Sequence, residues 1–261
     1  MADGRVVVIT GASSGIGAAL AVRLGREGHR LVLAARNAEK LRAVAVEAAP
    51  EGFALPVPTD VTRRDEVERL RDTALERFGA IDVWVNNAGR GIARPVLELT
   101  DEDVDEMIAV NVKSALYGMQ AIVPYFVERG RGHVINVSSM LGRLPAAPWR
   151  SAYSAAKAAL NSLSSNVRMD LRQKGVKDVH VSVVMPGMVS TDFGLNAKHS
   201  KGPPPRPAAH MPQPQTVDVV VQVLADLIER PRAEVYTNPA GAIAVQRYVQ
   251  DVGAFEENMS S

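Results

Sequence analysis

The chain contains no cysteine, which excludes disulfide staples, thiolate zinc sites and a cysteine nucleophile, and leaves the redox compartment unassigned by thiol usage. Excess charge is missing too. The 30 Lys and Arg residues are interspersed with 29 Asp and Glu, for a net charge of +1. There is therefore no basic field to gather nucleic acid and no polybasic stretch to hold a membrane surface, and a small-molecule partner is expected. No run of about 18 uncharged apolar residues occurs, the length a membrane-crossing helix needs. Residues 1–4 lead straight into Val6-Val7-Val8-Ile9 without the apolar region of a signal peptide, so a soluble, cytoplasmic protein is expected. His29, His133, His180, His199 and His210 show neither metal-ligand nor triad spacing; they are assigned to the surface, and no metal is expected. Internal repeats and interdomain linkers are also lacking. With 261 residues and 46% hydrophobic content, the chain suits a single domain spanning 1–261.

What the chain does have is alternation. Short Val/Ile/Leu runs at residues 5–10, 30–35, 53–57, 81–85, 133–138, 180–185 and 234–237 predict seven strands. Stretches of helical period at 15–27, 38–48, 63–77, 101–128, 151–173 and 217–229 lie between them. Strands that are apolar throughout, separated by helices, predict a doubly wound α/β fold whose parallel sheet is covered on both faces. Two helix starts carry cap signals: Thr100 precedes an acidic turn, and Thr62 has Asp65 and Glu66 three and four residues on. The segment 191–215 breaks the rhythm with six prolines. It is too long for a plain connector and is read as a lid, spanning about 190–215, over the crevice at the strand ends; the other reading is a disordered loop.

Directly after the first strand comes Thr10-Gly11-Ala12-Ser13-Ser14-Gly15-Ile16-Gly17, then a helix. Glycines in a strand–turn–helix let backbone amides approach a pyrophosphate at the helix N-terminus, as in Rossmann-like sheets. The Gly-x-x-x-Gly-x-Gly spacing resembles the cofactor loop of the short-chain dehydrogenase/reductase family. Further motifs of that family follow in order: Asp60-Val61, Asn86-Asn87-Ala88-Gly89, Asn111, Ser138-Ser139, Tyr153-x-x-x-Lys157 and Pro186-Gly187-Met188-Val189-Ser190-Thr191. The resemblance implies a dinucleotide held by Gly11, Ser13, Ser14, Gly15, Ile16 and Gly17, with Asp60 and Val61 at the adenine. It puts Asn87, Ala88 and Gly89 at the cofactor's centre, with Tyr153 and Lys157. Pro186, Gly187, Val189 and Thr191 would meet the nicotinamide carboxamide and phosphates. It also implies a homodimer or homotetramer, for which Ala155, Ala158, Ala159 and Ser162 offer a face of small residues.

The second strand ends in Ala34-Ala35-Arg36-Asn37. An acidic residue there would bond a ribose 2′-hydroxyl, whereas an arginine accommodates a 2′-phosphate, so NADP(H) is favoured over NAD(H). Ser14 stands where many NADP(H)-preferring relatives carry a second basic residue.

Tyr153 and Lys157, four residues apart, share one face of a predicted helix. A nearby ammonium favours the phenolate, so Lys157 is expected to lower the tyrosine's pKa and tune it as general acid/base. Ser139, at a strand end, would hydrogen-bond the substrate oxygen; Ser138 is the alternative. The gap from Ser139 to Tyr153 is fourteen residues, one more than is common in the family, which suggests an insertion within 142–150. By resemblance, Asn111 interrupts its helix and holds a proton-relaying water. Met140, Leu141, Trp149, Met188, Phe193 and Leu195 are the candidate substrate contacts, with Ser139, Met140, Tyr153 and Met188 placed first. Arg90, Arg94, Arg143 and Arg150 either recognise an acidic group or are solvated. Together these features predict reversible reduction of a ketone or aldehyde to an alcohol. The alternatives are a catalytically silent NADP(H)-binding sensor or scaffold, and a lyase or epimerase on the same fold.

Overall fold

A computed structural model describes residues 4–201 and 214–260. Seven strands, β1 (Val6–Thr10), β2 (Arg30–Ala35), β3 (Ala54–Pro58), β4 (Val83–Asn86), β5 (Gly132–Val137), β6 (Val179–Met185) and β7 (Glu234–Tyr236), form one sheet in the order β3-β2-β1-β4-β5-β6-β7. Every pairing is parallel. The sheet is Rossmann-like and doubly wound: the chain runs outward from β1 to β3, then returns to β4 on the other side. The crevice between the ends of β1 and β4 is the ligand position of such sheets.

Side chains on successive strand residues point to opposite faces, and both faces are buried. Val7 and Ile9 join one core with α1 (Gly15–Arg26), α2 (Ala38–Ala48) and α7 (Val217–Glu229). Val8 joins the other with α3 (Arg64–Phe78), α5 (Ser114–Arg129) and α6 (Ser151–Gln173). Edge strand β3 is only half-buried and carries Pro56 and Pro58, which an edge tolerates because it has one ladder to satisfy.

Several boundaries differ from the sequence reading. Ile81 and Asp82 precede β4 instead of opening it; the Asp82 carboxylate accepts from Val6 N at 2.8 Å. Thr100 caps α4 (Asp101–Ile108) in a reciprocal capping box with Asp103. Thr62 does not cap α3: its hydroxyl donates to Asp60 at 2.7 Å, and Arg63 takes the cap position. His133 is not on the surface. It is buried in β5 against the Ser182 hydroxyl at 2.8 Å, and burial holds its pKa down to about 3. His29 is half-buried, while His210 lies outside the described residues. Two C-terminal helices, α8 (Pro239–Gln250) and α9 (Val252–Ser260), follow β7. The start of α8 is legible: Asn238 caps Ala240 N, with proline at the first helical position. Among the described residues no helix is long and apolar enough to cross a membrane.

Buried polar side chains fix how the layers meet. Asn86 Nδ2 donates to Asn136 Oδ1 at 2.8 Å, and Asn136 Nδ2 donates to Ser164 Oγ at 2.8 Å, so β4, β5 and α6 share one ladder. Trp84 Nε1 supplies the remaining bond to Asn86 Oδ1 at 2.8 Å. Outside the sheet, the buried Asp103 carboxylate receives Arg94, Lys198 and His199 at 2.7–2.9 Å. These contacts dock residues 191–201 onto α4. His199 adopts a left-handed backbone (φ 61°), a strained conformation that the carboxylate bond offsets. Burial pushes the Asp103 pKa up, but the hydrogen bonds from Lys198, His199 and Arg94 overrule it and hold the carboxyl well below the usual range.

Replacing Asn136 with alanine takes one of two acceptors from the Asn86 amide, removes the donor to Ser164 Oγ and opens a void, so the variant should lose about 2–4 kcal/mol of stability, read as a lower urea midpoint with unchanged slope. Asp103→Asn should raise hydrogen–deuterium exchange in residues 191–201 about tenfold or more at neutral pH. A depressed carboxylate stabilises above its unfolded pKa, about 3.9 for aspartate, and the contribution disappears as pH falls through the folded value. In the unsubstituted protein the segment should therefore stay protected down to about pH 4 and loosen below it.

Candidate active site

The loop from β1 to α1 is built around two glycines. Gly11 has φ 65°, in the left-handed region that side chains disfavour. At Gly17 a Cβ would lie 2.4 Å from Gly11 O and 2.5 Å from Asn87 Nδ2, so only glycine lets the helix close on the loop. The Asn87 side chain grips this loop, donating to Thr10 O at 2.9 Å and Gly11 O at 3.2 Å. Thr10 Oγ1 accepts in return from the amides of Asn87 (3.0 Å) and Ala88 (3.1 Å), a tie between β1 and β4 that sequence reasoning missed. Ser14 is the N-cap of α1 but makes no side-chain cap bond, and no acidic residue occupies the first turn. Its amides and positive dipole end are thus open to an anion. Ser13 is half-buried and Ser14 and Gly15 are exposed, while Ile16 packs on the core beneath. A Cβ on Gly15 would be 3.7 Å from Thr191 Cγ2, so Thr191 closes over the loop.

At the far end of the crevice, Arg36 is exposed beyond β2. Asp60 accepts from Thr62 N at 3.0 Å and from its hydroxyl. Burial raises the Asp60 pKa, but these bonds, with the charges of Arg36 and Arg63, bring it net downward. Arg36 therefore has a carboxylate within Coulombic range, although none stands on its own strand. Val61 packs against the second core. Pro186 is buried, and its carbonyl accepts from Met140 N at 2.8 Å. The chain from Met188 to Ser190 is pinned by Gln215, which donates to Met188 O at 2.8 Å and accepts from Ser190 N at 2.9 Å. This tie lies beside Gly187 and Val189 and fixes both roots of the long excursion.

The two serines after β5 divide their tasks. Ser138 Oγ donates to Lys157 O at 3.3 Å, a structural bond. Ser139 Oγ accepts from Leu141 N at 3.2 Å and lies near enough to the Tyr153 phenol to favour its anion. Tyr153 and Lys157 are both buried on α6. The Lys157 ammonium donates to Val137 O at 2.9 Å and sits 5.6 Å from the tyrosine ring centre. The expected lowering of the tyrosine is not what this arrangement produces. Burial pushes the phenol up to about 12 against opposing pulls from Ser139 and Arg150, and pushes the lysine down to about 8. Desolvation dominates because it disfavours the charged form of each group, phenolate and ammonium alike.

Asn111 interrupts its helix as expected. Residues Ala109–Lys113 form a π-turn between α4 and α5. Asn111 Nδ2 takes the Met107 carbonyl at 3.1 Å, competing with the backbone for it, and also donates to Arg90 O at 2.9 Å. A Cβ on Gly89 would lie 3.0 Å from Asn111 Oδ1 and 3.6 Å from Lys157 Nζ, so the three residues gather at one point.

The substrate candidates separate. Leu141 is half-buried and packs against the cluster that holds Tyr153. Met140 faces α8, where a Cβ on Gly241 would meet its sulfur at 2.9 Å. Met188 and Leu195 are exposed and Trp149 is half-buried, while the Phe193 ring lies 5.6 Å from that of Tyr153. Of the arginines, Arg90 pairs with Glu106, Arg94 with Asp103 and Arg143 with Glu234.

The comparisons agree with this geometry. The family described as short chain dehydrogenase matches residues 5–202. An uncharacterized oxidoreductase of Staphylococcus aureus (strain N315) is 39% identical over 187 residues, covering 72% of this chain and 79% of that protein. A short chain dehydrogenase/reductase from Burkholderia phymatum, solved in complex with NAD, is 28% identical with a TM-score of 0.85, over 97% of this chain and 95% of that one. A short chain dehydrogenase from Burkholderia cenocepacia J2315, in complex with NADP, is also 28% identical, with a TM-score of 0.80 over 99% and 98% of the two chains. The matched span carries the glycine loop, both serines and the Tyr153–Lys157 helix. The chain thus belongs to the short-chain dehydrogenase/reductase family and is an oxidoreductase of that family.

Proposed function

We propose that the protein interconverts a ketone or aldehyde and an alcohol, using NADP(H) in preference to NAD(H), with Tyr153 as general acid/base. The observation that carries this reading is the buried Tyr153–Ser139 hydroxyl pair at the end of β5, with Lys157 beside it. A nicotinamide dinucleotide, which the two neighbouring structures hold as NAD or NADP, supplies or accepts the hydride. The open amides at the start of α1 and the space kept by Gly11 and Gly17 fit its pyrophosphate.

Ser139 Oγ accepts from Leu141 N, so its single proton points to the phenol side and would turn to the substrate oxygen when one is bound there. That bond orients a substrate carbonyl and stabilises the charge that develops there. Tyr153, with its pKa pushed up, keeps its proton at neutral pH and can donate it to the same oxygen, which suits the reductive direction. Lys157, brought down to about 8, can pass a proton onward without a large penalty, and Asn111 anchors the backbone next to it. The lid read at about 190–215 lies partly outside the described residues, at 202–213; in its described part Phe193 lies against Tyr153, and Gln215 is tied to Met188 and Ser190, which supports the reading. We place the protein in the cytoplasm as a single domain. Ala155, Ala158 and Ser162, exposed along α6, support pairing of copies into a homodimer or homotetramer.

Tyr153→Phe should lower kcat about a thousandfold while NADPH binding, followed by fluorescence, is retained. Cofactor binding without turnover of any carbonyl by the unsubstituted protein would point to a sensor instead, and turnover without net NADPH loss to a lyase or epimerase. Arg36→Ala should weaken NADPH binding about tenfold and leave NADH binding nearly unchanged. Tighter binding of NADH than of NADPH by the unsubstituted protein would sink the cofactor preference.

A further inference from the structure

We propose that Arg150 is an anion subsite of the substrate pocket, so that the carbonyl compound handled at Tyr153 carries a carboxylate. The inference rests on the reductase reading above and narrows its substrate class.

Of the four arginines offered by the sequence as acid-recognising groups, Arg90, Arg94 and Arg143 are neutralised by Glu106, Asp103 and Glu234. Arg150 has no carboxylate partner among the described residues. Its one hydrogen bond there runs from Nη1 to Ile92 O at 3.1 Å. A guanidinium carries five N–H donors in a planar fork, so most of its capacity is unspent. The residue is half-buried, and burial lowers its pKa, the sign of a charge that lacks full solvation.

Its position adds a second argument. Arg150 is the N-cap residue of α6, and the first turn of that helix contains no acidic side chain. A cation at the positive end of a helix dipole is unfavourable unless an anion joins it. No described carboxylate does so, and a bound carboxylate would satisfy the guanidinium and the helix end together.

The guanidinium also faces the reacting groups. A Cβ on Gly91 would lie 2.7 Å from Arg150 Nη1 and 3.0 Å from Phe193 Cε1, so the arginine and the phenyl ring meet over this glycine. The Phe193 ring in turn lies 5.6 Å from that of Tyr153, and the tyrosine's ionisation feels the Arg150 charge. Guanidinium, phenyl and phenol therefore border one space. A short oxo acid suits it: the carbonyl oxygen at Tyr153 and Ser139, the carboxylate on the fork of Arg150.

The test compares pyruvate, acetoacetate and levulinate with their methyl esters, as substrates with NADPH and as quenchers of Trp149 fluorescence. Trp149 is half-buried next to Arg150, whereas Trp84 is fully buried. The unsubstituted protein should prefer at least one acid to its ester, and Arg150→Gln should cut that acid-to-ester ratio of kcat/KM about tenfold or more, chiefly through KM. Arg150→Lys should restore part of the ratio; it also carries the comparison if the glutamine variant fails to fold. An equal loss for acid and ester would reveal a structural arginine and overturn the proposal, as would an unsubstituted protein that favours the esters, although the reductase reading would stand. If no carbonyl is reduced but the acids still quench Trp149 in an Arg150-dependent manner, the subsite stands and the reductase reading falls. Neither turnover nor Arg150-dependent quenching would overturn both.

Discussion

The attachment of α6 to the end of β5 is the constraint on which the site depends. Three bonds make it: Lys157 Nζ to Val137 O, Ser138 Oγ to Lys157 O, and Asn136 Nδ2 to Ser164 Oγ. They run in both directions between strand and helix, so neither can slide or rotate without leaving a buried polar group unpaired, which costs more than the net worth of the bond itself. Tyr153 sits one turn N-terminal to Lys157, and its place opposite Ser139 follows from that clamp. Through Asn86 the clamp reaches β4, and through the Thr10–Asn87 contacts it reaches β1 and the glycine loop. The phosphate end and the chemical end of the crevice are thus joined by side chains buried among the strands.

Much of this was legible in the sequence where the signal is local. The glycine loop, the Tyr153–Lys157 spacing and the α6 span are dictated by backbone conformation and helical period, properties of a short window. Alternation predicts seven parallel strands covered on both faces, but it carries no strand order. What the sequence left open depends on which partner a side chain takes, near or distant along the chain. Thr62 resembles a helix cap, and only the neighbouring Asp60 carboxylate shows why its hydroxyl turns away. His133 carries no local mark of burial; Ser182 on the next strand provides its place. The latch of Asp103 with Lys198 and His199 joins residues nearly a hundred positions apart. Helix α8 was overlooked although Asn238-Pro239 marks its start; it follows the last strand and buries only Gly241, so it takes no part in the layering that the alternation reveals.

The ionisation of the catalytic pair shows the same division. Spacing puts the ammonium near the phenol, and from spacing alone the ammonium should draw the phenol toward its anion. Burial reverses that outcome, because each group is taken out of water and each resists its own charge: the phenol is held protonated and the amine is released toward neutrality. The Lys157 ammonium is turned toward Val137 O, which leaves its charge poorly spent on the tyrosine.

Charge near this pair consequently has a large effect, and the enclosing residues keep most of it matched. Asp103 absorbs Arg94, Lys198 and His199 at the rim, and Glu106 absorbs Arg90. None of these groups is among those that act on the Tyr153 phenol. Arg150 stays outside this neutralisation and acts on the phenol in the direction of the anion. A group that binds Arg150 would cancel that pull and leave the phenol more firmly protonated, better suited to giving its proton to a carbonyl. Recognition of a charged substrate and the protonation state needed to reduce it would then be coupled through a single guanidinium.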